Sequence, residues 1–177
     1  MENRTVLCAG DSITYGYLLG PEESYPSVLQ NLLGNNYTVI NSSNVGLTAY
    51  DYAQLFDVEE NVDIAVLMFG SNDSNSAFFE SKEQFKNNYE RLFEMFDQSK
   101  IYLCTPCKAY STNYGVDEEN LEIIVEAIQE LGKEYNYVVI DIYKLTSNHP
   151  EWFENDGIHP SAQGAKAIAQ EVYKSIK

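Results

Sequence analysis

Three residues of this 177-residue chain have the types and the setting that nucleophilic acyl chemistry needs. Ser12 sits in Ala9-Gly10-Asp11-Ser12-Ile13-Thr14, directly after a short apolar run. Asp156 and His159 share Asp156-Gly157-Ile158-His159-Pro160 near the other end. A hydroxyl, an imidazole and a carboxylate are what ester hydrolysis by a serine requires. The imidazole takes the hydroxyl proton during attack and returns it to the leaving alcohol, while the carboxylate fixes the imidazole tautomer. Asp156 lies three residues before His159 on a turn containing Gly157, close enough to reach the second ring nitrogen. The other histidine, His149, has Thr146 at that spacing and reads as a solvated loop residue. Taken alone, Ser12 could equally be a turn or helix-capping hydroxyl.

Attack on a carbonyl also needs donors for the developing oxyanion. Gly70-Ser71-Asn72-Asp73 supplies the Asn72 side-chain amide, Gly46 an unobstructed backbone N–H, and Ser12 its own N–H. Asn72 as a loop cap and Gly46 as a turn glycine of positive φ are the alternatives. Around these, Tyr15, Tyr17, Tyr110, Tyr114, Trp152 and Phe153 are placed to meet a ligand. Tyr15, Tyr110, Tyr114 and Trp152 are expected to bind substrate, stacking on a sugar ring or walling an acyl pocket. With 14 tyrosines in the chain, the same rings could simply cover the core edge.

No cofactor is expected. Asp11 and Asp73 each adjoin a residue with a polar-turn role, so they do not read as metal ligands, and neither G-x-x-x-x-G-K-[ST] nor G-x-G-x-x-G occurs. Cys104-Thr105-Pro106-Cys107 precedes loop-like sequence, where a redox pair should open a helix, and two further zinc ligands are lacking. The three cysteines read as buried structural thiols, a redox pair or metal site being the alternatives.

Short apolar runs alternating with helical patterns position these groups and predict βα units around a parallel sheet. Strands are expected at Thr5–Ala9, Tyr37–Asn41, Ile64–Phe69, Ile101–Cys104 and Tyr137–Ile142, the third apolar throughout, as for a central strand buried on both faces. Helices are expected from Glu22 or Ser24 to Leu33, over Tyr50–Glu59, over Lys82–Phe96, from Asp117 or Glu118 to an exit near Gly132, and over Ser161–Tyr173. The Phe85, Tyr89, Leu92, Phe93 and Phe96 stripe is core packing. Five strands with intervening helices predict a three-layer α/β/α sandwich. Ligands of such sheets lie outside the carboxyl ends of the strands, where Ser12, Gly46, Asn72, Asp156 and His159 all fall.

The length suits one domain, residues 1–177. With 27 acidic and 11 basic residues the net charge is −16, which disfavours nucleic acid and anionic membrane as partners. Met1-Glu2-Asn3-Arg4 runs into an apolar stretch too short for a signal peptide, and no run reaches the length of a membrane span, so the chain is expected in the cytoplasm. Oligomeric state is not legible.

The four blocks together resemble those of the SGNH hydrolases, or GDSL-type esterases and lipases. Gly10-Asp11-Ser12-Ile13-Thr14 with Gly16 resembles the nucleophile block, and Asn44-Val45-Gly46 the glycine block. Gly70-Ser71-Asn72-Asp73 resembles the asparagine block, and Asp156-Gly157-Ile158-His159-Pro160 with Gly164 the closing block. The order Ser, Asp, His is also that of α/β hydrolases, but no G-x-S-x-G elbow exists here. The resemblance spans Thr5 to the last helix and implies a flavodoxin-like sheet, a Ser12–His159–Asp156 triad and oxyanion donors at Ser12, Gly46 and Asn72. One departure follows Gly46, where many relatives carry another glycine and an acid. Leu47-Thr48-Ala49-Tyr50-Asp51 stands here and suggests a differently shaped cleft wall. The expected activity is hydrolysis of small acyl esters, acetyl foremost, on a small molecule or carbohydrate. A lysophospholipase or thioesterase is the alternative, a non-catalytic carbohydrate-binding relative a third reading, and acyl transfer a variant of the first.

Overall fold

The computed structural model describes residues 3–58 and 61–177. Five parallel strands, β1 (Arg4–Gly10), β2 (Tyr37–Ser43), β3 (Ile64–Met68), β4 (Lys100–Cys104) and β5 (Val138–Ile140), form one sheet in the order β2-β1-β3-β4-β5. This is the flavodoxin-like order, and its switch point lies between β1 and β3, where chain connections leave in opposite directions and open a crevice. Register pairs Val6 with Ile64 and Gly10 with Met68, so β1 and β3 end side by side.

The alternation of side chains divides the core into two layers. Leu7, Ala9, Ala65, Leu67, Ile101 and Leu103 face one side, where they meet α3 (Ala49–Leu55), α4 (Lys82–Met95) and α5 (Glu118–Tyr135). Val6, Cys8, Ile64, Val66, Tyr102 and Cys104 face the other, covered by α2 (Tyr25–Leu33) and α7 (Ala162–Ile176). The stripe of α4 is buried as its spacing predicts, with Phe85, Tyr89, Leu92 and Phe93 packed into the first layer. Helix starts are set by side-chain caps at Ser24, Thr48, Ser81, Asp117 and Ser161. Two further helices are short, α1 (Ser12–Tyr15) and α6 (Ile142–Thr146).

Several boundaries depart from the periodicity, α7 for one running three residues past Tyr173 to Ile176. Gly132 does not end α5. The helix continues to Tyr135 and stops at Asn136, whose φ of 56° is the left-handed exit. Gly132 serves close packing instead, since a Cβ there would lie 2.2 Å from the Val139 side chain. The fifth strand is three residues long, not the expected Tyr137–Ile142, because Asp141 accepts from Lys144 N and turns Ile142 into α6. The helix expected over Tyr50–Glu59 begins at Ala49 and ends at Leu55, with Glu59 outside the described residues. Met1 and Glu2, on which the expectation of a leaderless start rested, also lie outside them. Among the described residues no helix is long and apolar enough to cross a membrane.

Candidate active site

The carboxyl end of β1 delivers Ser12 as the first residue of α1. Asp11 caps this helix, its Oδ1 accepting from Ile13 N at 2.9 Å, and Gly16 closes it at φ 86° with its N–H on the Ser12 carbonyl. Gly10 is required by crowding: a Cβ would lie 2.0 Å from Thr14 Oγ1 and 2.9 Å from the Met68 carbonyl. Ser12 is thus held on a turn pressed against the end of β3, with its N–H at a helix start where no intrahelical acceptor exists.

His159 arrives from the opposite end of the chain, 5% exposed, and its Nε2 stands 3.0 Å from Ser12 Oγ. Its Nδ1 is 2.6 Å from Asp156 Oδ2. An ionised carboxylate only accepts, so Nδ1 carries the proton and Nε2 is left to accept from the serine hydroxyl. The other oxygen of Asp156 accepts from the N–H groups of Ile158 and His159, both at 2.9 Å. Partial burial pushes the Asp156 carboxyl up, but the bonds from the His159 ring and these two N–H groups prevail and hold it below the ordinary carboxylate range.

The turn carrying Asp156 is seated on the loop between β4 and α5. Tyr110 N donates to the Gly157 carbonyl at 2.8 Å, and Ser111 Oγ and Asn113 Nδ2 donate to the Asp156 carbonyl at 2.6 and 2.8 Å. Gly157, at φ 71°, has backbone of Tyr110 and Ser111 within 3.3 Å of where a Cβ would stand. Sequence reasoning did not find the supporting roles of Ser111 and Asn113, because a polar loop segment carries no periodicity that says where it docks.

The loops after β2 and β3 form the facing wall. Asn72 Nδ2 donates to the Leu47 carbonyl at 2.9 Å, which fixes the amide and leaves its second N–H available. Gly46 adopts φ 82° with open space around it. Asp73 Oδ1 accepts from Ala49 N at 3.0 Å, tying the same two loops together. Burial pushes both Asp11 and Asp73 up to about 7, against the backbone bonds that favour their ionised forms.

The aromatic residues divide. Tyr114, 60% exposed at φ 60°, sets its ring edge-on 5.3 Å from the His159 ring. Tyr17 lies 4.8 Å from the same imidazole on a tilted plane, although Tyr15 and not Tyr17 was the expected substrate contact. The left-handed Gly16 between them turns the chain, and Tyr15 is 53% exposed. Tyr110 is engaged elsewhere: its hydroxyl donates to the Thr146 carbonyl, accepts from His149 N, and its ring packs on Phe153. Trp152 stacks on His149 at 3.7 Å, and His149 Nδ1 is 2.7 Å from Glu151. The structure therefore brings Tyr17 and Tyr114 to the imidazole and occupies Tyr110 and Trp152 with local packing. All three cysteines are free and buried. Burial pushes their thiols up, that of Cys8 to about 12, which leaves them unreactive at neutral pH.

A model of the GDSL-like lipase/acylhydrolase family matches residues 8–167. Among curated proteins, an acetylxylan esterase of Xylanibacter ruminicola is 26% identical, the match covering 97% of this chain and 43% of that protein. The chain therefore spans less than half the length of that relative. An arylesterase of Vibrio mimicus is also 26% identical, over 97% of this chain and 89% of the relative. Among solved structures, a lipase/acylhydrolase from Enterococcus faecalis is 28% identical and superposes with a TM-score of 0.85, covering 98% of this chain and 95% of that one.

Proposed function

This chain belongs to the GDSL-like lipase/acylhydrolase family, a family of carboxylic-ester hydrolases, and on that premise we propose that its 177 residues form one catalytic domain that removes small acyl groups, acetyl foremost, from a polar carrier such as a sugar. The observation that carries the reading is the continuous line of hydrogen bonds from Ser12 Oγ through the His159 ring to Asp156. In the proposed reaction Ser12 attacks the ester carbonyl as Nε2 takes its proton. The tetrahedral oxyanion is met by the N–H groups of Ser12 and Gly46 and the free N–H of Asn72. His159 then returns the proton to the leaving alcohol, and a water deprotonated by His159 releases the acid from the acyl-enzyme.

Support for the reading comes from the surroundings. Tyr17 and Tyr114 flank the imidazole with aromatic rings. The acetylxylan esterase relative makes an acetylated carbohydrate the first substrate to try. The test is release of acid from acetylated xylan, acetylated monosaccharides, p-nitrophenyl esters from C2 to C12 and lysophospholipid, with Ser12→Ala alongside. Acetate release that falls by about 10⁴-fold or more in the variant is expected. Wild-type turnover in the variant would sink the serine mechanism. A maximum at C8 or longer would move the substrate to a lysophospholipid or thioester. Added glycerol or free sugar that yields a new ester would identify acyl transfer.

A further inference from the structure

Tyr114 presents a largely exposed ring beside the imidazole from a backbone that a tyrosine avoids. Its φ of 60° is left-handed, inside the 3₁₀ turn Asn113–Gly115. Both neighbours are tied down. Asn113 Nδ2 donates to the Asp156 carbonyl at 2.8 Å. Gly115, at φ 75°, lies against Asn75, where a Cβ would stand 2.2 Å from the side-chain nitrogen. Bonds from Gly115 N to the Thr112 carbonyl, 3.2 Å, and from Val116 N to the Asn113 carbonyl, 3.3 Å, close the segment. The strain is therefore imposed from two sides, by the turn that carries Asp156 and by the loop after β3. The ring it displays takes no part in the buried core.

We propose, resting on the hydrolase reading above, that the Tyr114 ring is the subsite for the leaving alcohol, and that this alcohol is a hydroxyl on a flat ring laid against the tyrosine face.

The chemistry of His159 assigns the side. In the proposed reaction Nε2 hands its proton to the departing oxygen, so that oxygen comes within hydrogen-bond reach of Nε2. The carbonyl oxygen is directed elsewhere, to donors on Ser12, Gly46 and Asn72 from the loops after β1, β2 and β3. Tyr114 comes from the loop after β4 instead, and its ring centre is 5.3 Å from that of the imidazole. A ring bordering the imidazole this closely meets the alcohol half of an ester before the acyl half. Tyr17, at 4.8 Å, borders it too but is only half exposed, while Tyr110 and Trp152 are engaged in local packing. Tyr114 is left with a face to offer. An aromatic face gains most from another flat surface, whether the π face of an arene or the C–H face of a sugar ring, and less from an acyclic chain.

The test is kcat/KM of wild type and Tyr114→Ala on three acetates that share the acyl group: phenyl acetate, methyl xyloside carrying one acetyl, and ethyl acetate. The variant is expected to lose about five- to tenfold more on the two ring alcohols than on ethyl acetate. Its ratio between p-nitrophenyl acetate and butyrate, esters of one alcohol, is expected to hold. Tyr114→Phe should keep the preference for ring alcohols, because the face and not the hydroxyl binds. Tyr114→Gly, which suits the left-handed backbone, should repeat the loss without strain in the fold. An extra loss on the xyloside alone would identify a sugar, and on phenyl acetate alone an arene. Equal losses on all three acetates would show that the ring only holds His159 in place. A changed ratio of acetate to butyrate would show that it walls the acyl group. Either result, or unchanged kinetics, would overturn the proposal while the enzyme remains an esterase. Absence of turnover on every ester would remove the hydrolase reading and this subsite with it, so the two failures are told apart.

Discussion

Replacing Asp156 by Asn tests whether the carboxylate, and not merely a side chain of that shape, sets the state of His159. The two oxygens of Asp156 have separate duties. Oδ1 accepts two backbone N–H bonds at 2.9 Å, while Oδ2 faces Nδ1 at 2.6 Å. In the variant the amide oxygen must stay on the two N–H groups, because a flip would set an NH₂ against both donors and forfeit two bonds worth about 1 kcal/mol each. The NH₂ therefore faces Nδ1, which can then only accept. The proton moves to Nε2, which donates to Ser12 Oγ and can no longer take its proton. A serine triad in the wrong tautomer loses about 10⁴ in kcat, or some 5.5 kcal/mol at 1.36 kcal/mol per decade. Stopped-flow hydrolysis of p-nitrophenyl acetate reads the loss, and the thermal midpoint checks that the turn is intact. A variant retaining more than about one-tenth of wild-type kcat would refute the reasoning and show that Tyr17 and Tyr114 orient the imidazole without the carboxylate.

Asn72→Ala is expected to lower kcat by about 10²–10³ with KM little changed, since in the proposed reaction its second N–H acts on the oxyanion. A lower thermal midpoint with kcat preserved would instead confine Asn72 to holding the Leu47 carbonyl. The raised Asp11 and Asp73 carboxyls fix the sign of a stability profile. The unfolded chain loses their protons near 3.8 and the folded one near 7, so stability is greatest below the first value and declines as pH rises through the second. Each shift of about three units caps that contribution at roughly 4 kcal/mol. Asp73→Asn should flatten the fall in thermal midpoint between pH 4 and 7, and an unchanged slope would show that Asp73 is ionised throughout.

Much of this was legible because distant polar residues all followed apolar runs. Ser12, Gly46 and Asn72 come after β1, β2 and β3, and a parallel sheet aligns those ends whatever the helices do. Element existence followed from periodicity, as the buried stripe of α4 shows. The misread boundaries at Gly132 and Ile142 were decided by tertiary contact: the approach of Val139 made glycine useful inside α5, and the Asp141 side chain overrode an apolar run. The aromatic contacts were hardest to assign. Tyr15 and Tyr17 look equivalent as letters, but one left-handed residue between them sends only the second to His159.

Ser12 and His159, the proposed nucleophile and base, stand 147 positions apart in sequence yet 3.0 Å apart in space. During synthesis Ser12 emerges 147 residues before His159. Until the segment carrying Asp156 and His159 has been made and folded back, Ser12 lacks the base that the proposed reaction gives it. A chain cut short between the two would hold a sheet and a serine without His159, so on the proposed mechanism esterase activity reports that both segments are present and joined in the fold.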